Sequence, residues 1–313
     1  MTLAFVFPGQ GSQAVGMGRD LAEAFPVARH LFEEVDEALD QKLSKIMFEG
    51  PEETLILTEN AQPALMAVSM AVMRVLAEDG NVTVANKAAF VAGHSLGEYS
   101  ALAAASAISL GDTARLLKLR GQSMQKAVPV GVGAMAAIIG PELEVVRDIA
   151  AQAAGGQVCD VGNDNAPGQV VISGDTAAVE RAVKIAADQG VRRSIMLPVS
   201  APFHCALMEP AAHVMQDALA DTNLSTPVVP VVANVTAEAV SDPDVIRELL
   251  VRQVTEMVRW RECVLHMKEQ GVDTLIELGA GKVLGGLTRR IDREMTGRSV
   301  QGPDDIDDLL KNI

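Results

Sequence analysis

Short apolar runs alternate with longer amphipathic segments along most of the chain. Leu3–Phe7 is wholly apolar and leads into Pro8-Gly9-Gln10-Gly11, the pattern of a buried strand entering a tight turn. Residues 88–92 read as a second buried strand, and 228–233 and Thr274–Leu278 as further ones. Apolar positions at helical spacing predict helices over 61–79, from about 96 to 107, over 112–127, and near 207–221 and 244–269. Strands separated by helices point to an α/β protein with a largely parallel sheet.

The stretch from about 132 to 197 has a different order. It reads as strand 133–140, helix 141–154, strand 157–162, strand 169–173, helix 176–189 and strand 192–198. That is βαββαβ, the order of a ferredoxin-like module. The expected organisation is therefore a main domain formed by residues 1–127 and 199–313, with 128–198 inserted as a ferredoxin-like subdomain. No internal repeat or low-complexity linker interrupts it.

The chain has 313 residues and a formal net charge of -15. Such a charge argues against nucleic acid or an anionic membrane surface as partner. No apolar run reaches the roughly 18–20 residues that span a bilayer. Met1 to Phe7 carries no basic flank and reads as a first strand, not a signal peptide. A cytoplasmic location is expected. Cys159, Cys205 and Cys263 are far apart and show no metal-ligand spacing, so free buried thiols are expected, with no disulfide and no metal site.

Gly93-His94-Ser95-Leu96-Gly97 fits G-x-S-x-G between a predicted strand and a predicted helix, as a nucleophile elbow requires. A serine hydroxyl needs a base. His94 should be turned away by the sharp bend, and His30, His213 and His266 lie on helices with polar neighbours, as surface residues would. His204 follows a strand, in the irregular loop Ser200-Ala201-Pro202-Phe203-His204-Cys205, where α/β folds carry catalytic groups. No acid stands out as a third member; a backbone carbonyl could hold the imidazole in its place.

In the helix over 112–127, Leu116, Leu117, Met124 and Ala127 share one stripe, with Arg115, Lys118, Gln122 and Gln125 opposite. Arg120 falls inside the apolar stripe. It could snorkel out or pair with a structural carboxylate. It could also reach the active site and take a substrate carboxylate bidentately, which a plain hydrolase would not need.

With these residues in hand, the chain resembles the malonyl-CoA:acyl carrier protein transacylase family. The resemblance is carried by Phe5-Val6-Phe7-Pro8-Gly9-Gln10-Gly11-Ser12-Gln13, Gln62-Pro63-Ala64, Gly93 to Tyr99 and Arg120-Gly121. It continues through Gly131 to Met135, Asn163 to Gln169, Pro202-Phe203-His204-Cys205 and Gly281-Lys282-Val283-Leu284. It implies an α/β-hydrolase-like core with a ferredoxin-like insert. It also implies a ping-pong transfer of malonyl from malonyl-CoA through Ser95 to the phosphopantetheine thiol of holo-acyl carrier protein, with no cofactor. His204 would be the base, the carbonyl of Gln253 would orient it, and Gln10 and Leu96 would supply oxyanion N–H groups. Arg120 would bind the malonyl carboxylate, and Gln62, Met124, Asn163 and Phe203 would line the pocket. Ala280 and Met257 stand where the family often has proline. A bulky Phe203 resembles the malonyl-selective version and would crowd an α-methyl group. A serine esterase or thioesterase and a non-catalytic carrier-binding scaffold are the alternatives. Arg120 speaks against the first, and the joint presence of Ser95, His204 and Arg120 against the second.

Overall fold

The computed structural model describes residues 2–313, so Met1 at the start of the first predicted strand lies outside it. Two sheets organise the molecule. The larger has six strands in the order β10-β9-β1-β2-β7-β8. Here β1 is Leu3–Phe7, β2 Ala88–Gly93, β7 Val231–Val232, β8 Ala239–Val240, β9 Thr274–Leu278 and β10 Thr296–Val300. All pairs are parallel except β7 with β8. The smaller sheet has four antiparallel strands in the order β4-β5-β3-β6, where β3 is Gly133–Ile139, β4 Cys159–Ala166, β5 Gln169–Asp175 and β6 Arg193–Met196. The α/β class expected from the sequence, with a largely parallel sheet and a βαββαβ segment, is the class observed.

Burial explains which runs became central strands. Every residue of β1 and of β9 is buried, as strands covered by helices on both faces must be. The half-exposed, polar β10 offers no apolar run and was not foreseen, nor were the short β8 and the amphipathic helix Pro26–Leu39. The strand predicted over 228–233 shrinks to Val231–Val232. Pro227 and Pro230 lack the N–H a ladder needs, and Val228 is exposed.

One expected helix is two. Residues 244–269 divide into Pro243–Arg252 and Trp260–Glu269. Between them Val258 pairs with β4: its N–H donates to the Gly162 carbonyl at 2.9 Å and its carbonyl accepts from Asp164 at 2.9 Å. In an unbroken helix the Gln253 carbonyl would be taken by the N–H of residue 257. The break leaves it free for another donor.

The helix predicted over 61–79 runs from Thr58 to Gly80, so Pro63 sits past its first turn. The adjoining helix Leu110–Ala127 packs close to its start at Gly121, where a Cβ would fall 2.5 Å from the Glu59 Cα. Only glycine permits that approach, and it brings the neighbouring Arg120 against the first turns of Thr58–Gly80. The neighbours β2 and β9 lie on opposite sides of β1, so the loops at their carboxyl ends diverge and open a crevice there.

Candidate active site

The chain leaves β2 through an elbow. Ser95 has φ 54°, a left-handed conformation that costs a non-glycine residue about 1–3 kcal/mol. A Cβ on Gly93 would lie 1.9 Å from the Gly97 backbone, and one on Gly97 would lie 2.3 Å from the Phe7 carbonyl oxygen. The helix Gly97–Ala104 therefore starts directly against the end of β1, with Ser95 at its mouth.

Ser95 opens into a cavity of about 650 Å³, a size suited to a small ligand. One wall comes from the parallel sheet and its helices: Gln10, Gln62, Leu96 and Arg120. The other comes from the antiparallel sheet and the segment after it: Met135, Asn163, Val171, Phe203 and His204. Of the residues expected to line the pocket, Gln62, Asn163 and Phe203 reach the wall. Met124 does not line it; it is buried behind Gln62, whose Nε2 lies 3.8 Å from its sulfur.

His204 Nε2 stands 2.7 Å from Ser95 Oγ, and Nδ1 stands 2.8 Å from the Gln253 carbonyl. A carbonyl only accepts, so Nδ1 carries the proton and Nε2 is left to accept the Ser95 hydroxyl proton. The third member of the arrangement is thus a peptide oxygen released by the helix break. Burial, and then the charge of Arg120, push the His204 pKa down to about 3, against the Gln253 hydrogen bond. The imidazole is therefore neutral near pH 7, with Nε2 unprotonated beside Ser95 Oγ.

Arg120 is 1% exposed. Its Nη1 donates to Gln62 Oε1 at 2.8 Å; Nη2 donates to Ser95 Oγ at 3.2 Å and Gln253 Oε1 at 3.0 Å. The guanidinium carbon lies 5.7 Å from the Tyr99 ring centroid. Its Nε is buried with no partner, and among the described residues no carboxylate comes within ion-pair distance. The buried cation lines a cavity and has no carboxylate in direct contact, Glu98 acting on it only from beyond ion-pair distance, a costly state that a ligand carboxylate would relieve.

Gln10 and Leu96 both line the cavity, and the backbone N–H of neither donates to a protein acceptor among the described residues. They flank Ser95, one from the turn after β1 and one from the first turn of the helix after the elbow, where orphan donors and a positive helix end favour a developing negative oxygen. The Gln10 side chain is fixed separately, its Oε1 accepting from Thr58 Oγ1 at 2.8 Å.

The remaining histidines fall elsewhere. His30 and His213 are exposed. His266, expected at the surface, is half-buried, its ring edge-on to Phe90 at 6.3 Å with Nε2 unpartnered. His94 lines the cavity wall, but its partner is Asn165 and not Ser95: Nε2 lies 2.8 Å from Asn165 Oδ1 and its ring 5.9 Å from that of Trp260. It makes no hydrogen bond to Ser95 Oγ. The three cysteines are free and buried. No helix of the described residues is long and apolar enough to cross a membrane.

Sequence reasoning missed Asn234 and Glu98, both buried against the elbow. Asn234 Oδ1 accepts from the Ser95 N–H at 2.7 Å, and Glu98 Oε2 accepts from the Asn234 N–H at 3.0 Å. It also missed the Gln253 side chain, which donates to the Ser95 carbonyl at 3.0 Å. The one available signal was Glu98, the single charged residue on the helix Gly97–Ala104.

The acyl transferase domain family matches residues 4–293. The malonyl CoA-acyl carrier protein transacylase of Bacillus subtilis is 44% identical over 312 residues, covering 99% of this chain and 97% of that protein. The protein of that name from Escherichia coli K12 is 46% identical over 300 residues, 96% of each chain. Among solved structures, an acyl-carrier-protein S-malonyltransferase from Bartonella henselae superposes with a TM-score of 0.97 at 54% identity, covering 99% of both chains. A malonyl-transacylase in complex with a type II polyketide acyl carrier protein superposes with a TM-score of 0.96 at 44% identity, covering 100% of both chains.

Proposed function

This chain belongs to the acyl transferase domain family, and from that premise we propose how its residues carry out the transfer. It is a malonyltransferase that moves malonyl from malonyl-CoA to the phosphopantetheine thiol of acyl carrier protein. Ser95 Oγ attacks the thioester carbonyl while His204 Nε2 takes its proton. The Gln10 and Leu96 N–H groups hold the oxyanion, the carbon–sulfur bond breaks, and His204 returns the proton to the departing coenzyme A thiolate. Ser95 is left as a malonyl ester. The carrier thiol then gives its proton to His204, attacks the ester and regenerates the hydroxyl.

The Gln253 carbonyl keeps the imidazole in the tautomer that both half-reactions need. Arg120 pairs with the free malonyl carboxylate, and Gln62 steadies the guanidinium. Phe203 and Asn163 shape the wall around the acyl group, and Met124 backs Gln62. Residues 128–198 form the inserted subdomain that closes the cavity over the catalytic segments 1–127 and 199–313. The reaction takes place in the cytoplasm and feeds fatty acid or polyketide chain extension.

The observation that carries this reading is a buried arginine, without a carboxylate partner, 3.2 Å from an activated serine oxygen. Intact-mass spectrometry after exposure to malonyl-CoA tests it. One malonyl group should be gained, Ser95→Ala should gain none, and acetyl-CoA should label far less. Equal labelling by acetyl-CoA would remove the role given to Arg120, and fast loss of the ester to water would favour a hydrolase.

A further inference from the structure

The elbow is held in its left-handed conformation by a side-chain frame outside the reacting groups. Strand β2 pairs with β7 only at Val91 with Val231 and Ala92 with Val232. Strand β7 ends at Val232, so on that side the elbow has no strand beside it; on the other side the His94 N–H donates to the Phe7 carbonyl of β1 at 3.0 Å. Asn234 takes the strand's place. Its Oδ1 accepts from the Ser95 N–H at 2.7 Å, and its Nδ2 donates to the Gly93 carbonyl at 2.7 Å. One carboxamide thus grips the elbow on both sides of His94.

Glu98 fixes that carboxamide. Its Oε2 accepts from the Asn234 N–H at 3.0 Å and from Gln253 Nε2 at 2.8 Å. The same Gln253 Nε2 donates to the Ser95 carbonyl at 3.0 Å, and Gln253 Oε1 accepts from Arg120. Asn234 and Gln253 are fully buried, and Glu98 is 1% exposed. No cation lies within ion-pair distance of Glu98 among the described residues, and burial pushes its pKa up to about 7. A carboxyl group is retained there at a desolvation cost because two buried donors use it; without it the Asn234 N–H is orphaned and Gln253 Nε2 loses one of its acceptors.

We propose, on the basis of the acyl-transfer reading, that Asn234 and Glu98 are positioning residues. Asn234 clamps the Gly93–Ser95 backbone, and Glu98 ties that clamp to Gln253, so that the nucleophile, the carbonyl behind His204 and the Arg120 guanidinium keep one register. The frame acts on the approach of Ser95 Oγ to the reacting carbon and not on substrate affinity.

Full-chain N234A, E98A, E98Q and N234D test this through three readouts: single-turnover malonyl-enzyme formation against malonyl-CoA concentration, the labelling rate of Ser95 by a fluorophosphonate, and thermal unfolding. N234A and E98A should slow both acylations about 100-fold, the cost of a misplacement near 1 Å, with KM for malonyl-CoA little changed. E98Q keeps an acceptor oxygen for both donors and should restore most of the rate. In N234D the introduced carboxyl can donate to the Gly93 carbonyl only when protonated, so its rate should rise as pH falls.

Glu98, Arg120 through Gln253, His204, Arg259 and Cys263 are near this position in wild type and variant alike, so the difference between the two pH profiles belongs to the introduced carboxyl and its coupling to Glu98. Wild-type rates in N234A or E98A, a defect confined to KM, or a pH profile of N234D parallel to wild type would each overturn the proposal. Should N234A fail to fold, the E98A and E98Q pair and the N234D profile decide. If wild type takes the fluorophosphonate at Ser95 but no malonyl, the acyl-transfer reading fails, and the frame is then judged on fluorophosphonate rates alone.

Discussion

The two walls of the cavity are built on opposite principles. Behind Ser95 lies a continuous buried polar circuit. It runs from Gln10 through Thr58 and Gln62 to Arg120, then through Gln253 and Glu98 to Asn234 and back to the elbow. Across the cavity, β3 and β5 present Met135 and Val171, and behind them the antiparallel sheet packs on its helices through an apolar core of Ile138, Val146, Ile149, Val170 and Ile172. Each circuit member depends on its neighbours, so removing one leaves buried partners orphaned. An apolar wall loses only contact area and shape. Apart from His204, which reaches Ser95 from the segment after the antiparallel sheet, chemistry belongs to the brittle side and fit to the tolerant side.

The sharpest break should come at the proposed base. His204→Ala should lower malonyl-enzyme formation by about 100- to 10,000-fold, read by single-turnover kinetics. Arg120→Ala should lower malonyl transfer by about 100-fold and narrow the preference for malonyl over acetyl, read by competing the two thioesters. Lysine at that position should recover only part of the loss, because it cannot form the planar bidentate pair.

The pH response separates base from fold. With the His204 pKa held near 3, its neutral form persists through the acidic range, so acylation should show no limb from His204 between about pH 5 and 8. In the unfolded chain the same imidazole takes up a proton below about 6.5. The unfolded state then binds more protons, and stability should fall as pH drops through that window. Denaturant titrations across this range should show a shallower decline in His204→Gln.

On the tolerant wall, Val171→Ala should change the malonyl-to-methylmalonyl ratio by about 10-fold while Ser95 labelling stays at the wild-type rate. A comparable loss in labelling would dissolve the distinction between the walls. The smallest effect belongs at the surface. Arg192 and Arg193 are exposed at the start of β6, and an acidic carrier protein must dock on a chain that is itself acidic. Reversing both charges should lower the carrier half-reaction a few-fold at low salt and leave the coenzyme A half-reaction unchanged.

The same contrast explains what could be read from the sequence. The elbow was legible because its glycines are a local steric requirement, and Arg120 because a charge inside an apolar stripe is a local contradiction. The βαββαβ segment was legible because its strands and helices follow one another without interruption. The frame was not. Asn234 lies 139 residues from Ser95 and follows a strand too short to announce itself. The free Gln253 carbonyl depends on a helix break made by pairing with β4, while periodicity alone favours one continuous helix. Long-range polar closure leaves no periodic trace; short-range steric need does.

The chain has a single tryptophan. Trp260 is buried, its indole N–H has no partner among the described residues, and its ring lies 5.9 Å from His94, the residue immediately before Ser95. All indole emission from this protein therefore originates one ring away from the cavity wall. Filling that cavity, or esterifying the serine beside it, changes the surroundings of the His94 ring against which the indole rests. The molecule thus carries an optical gauge beside its own reaction, able to time loading and unloading without a label.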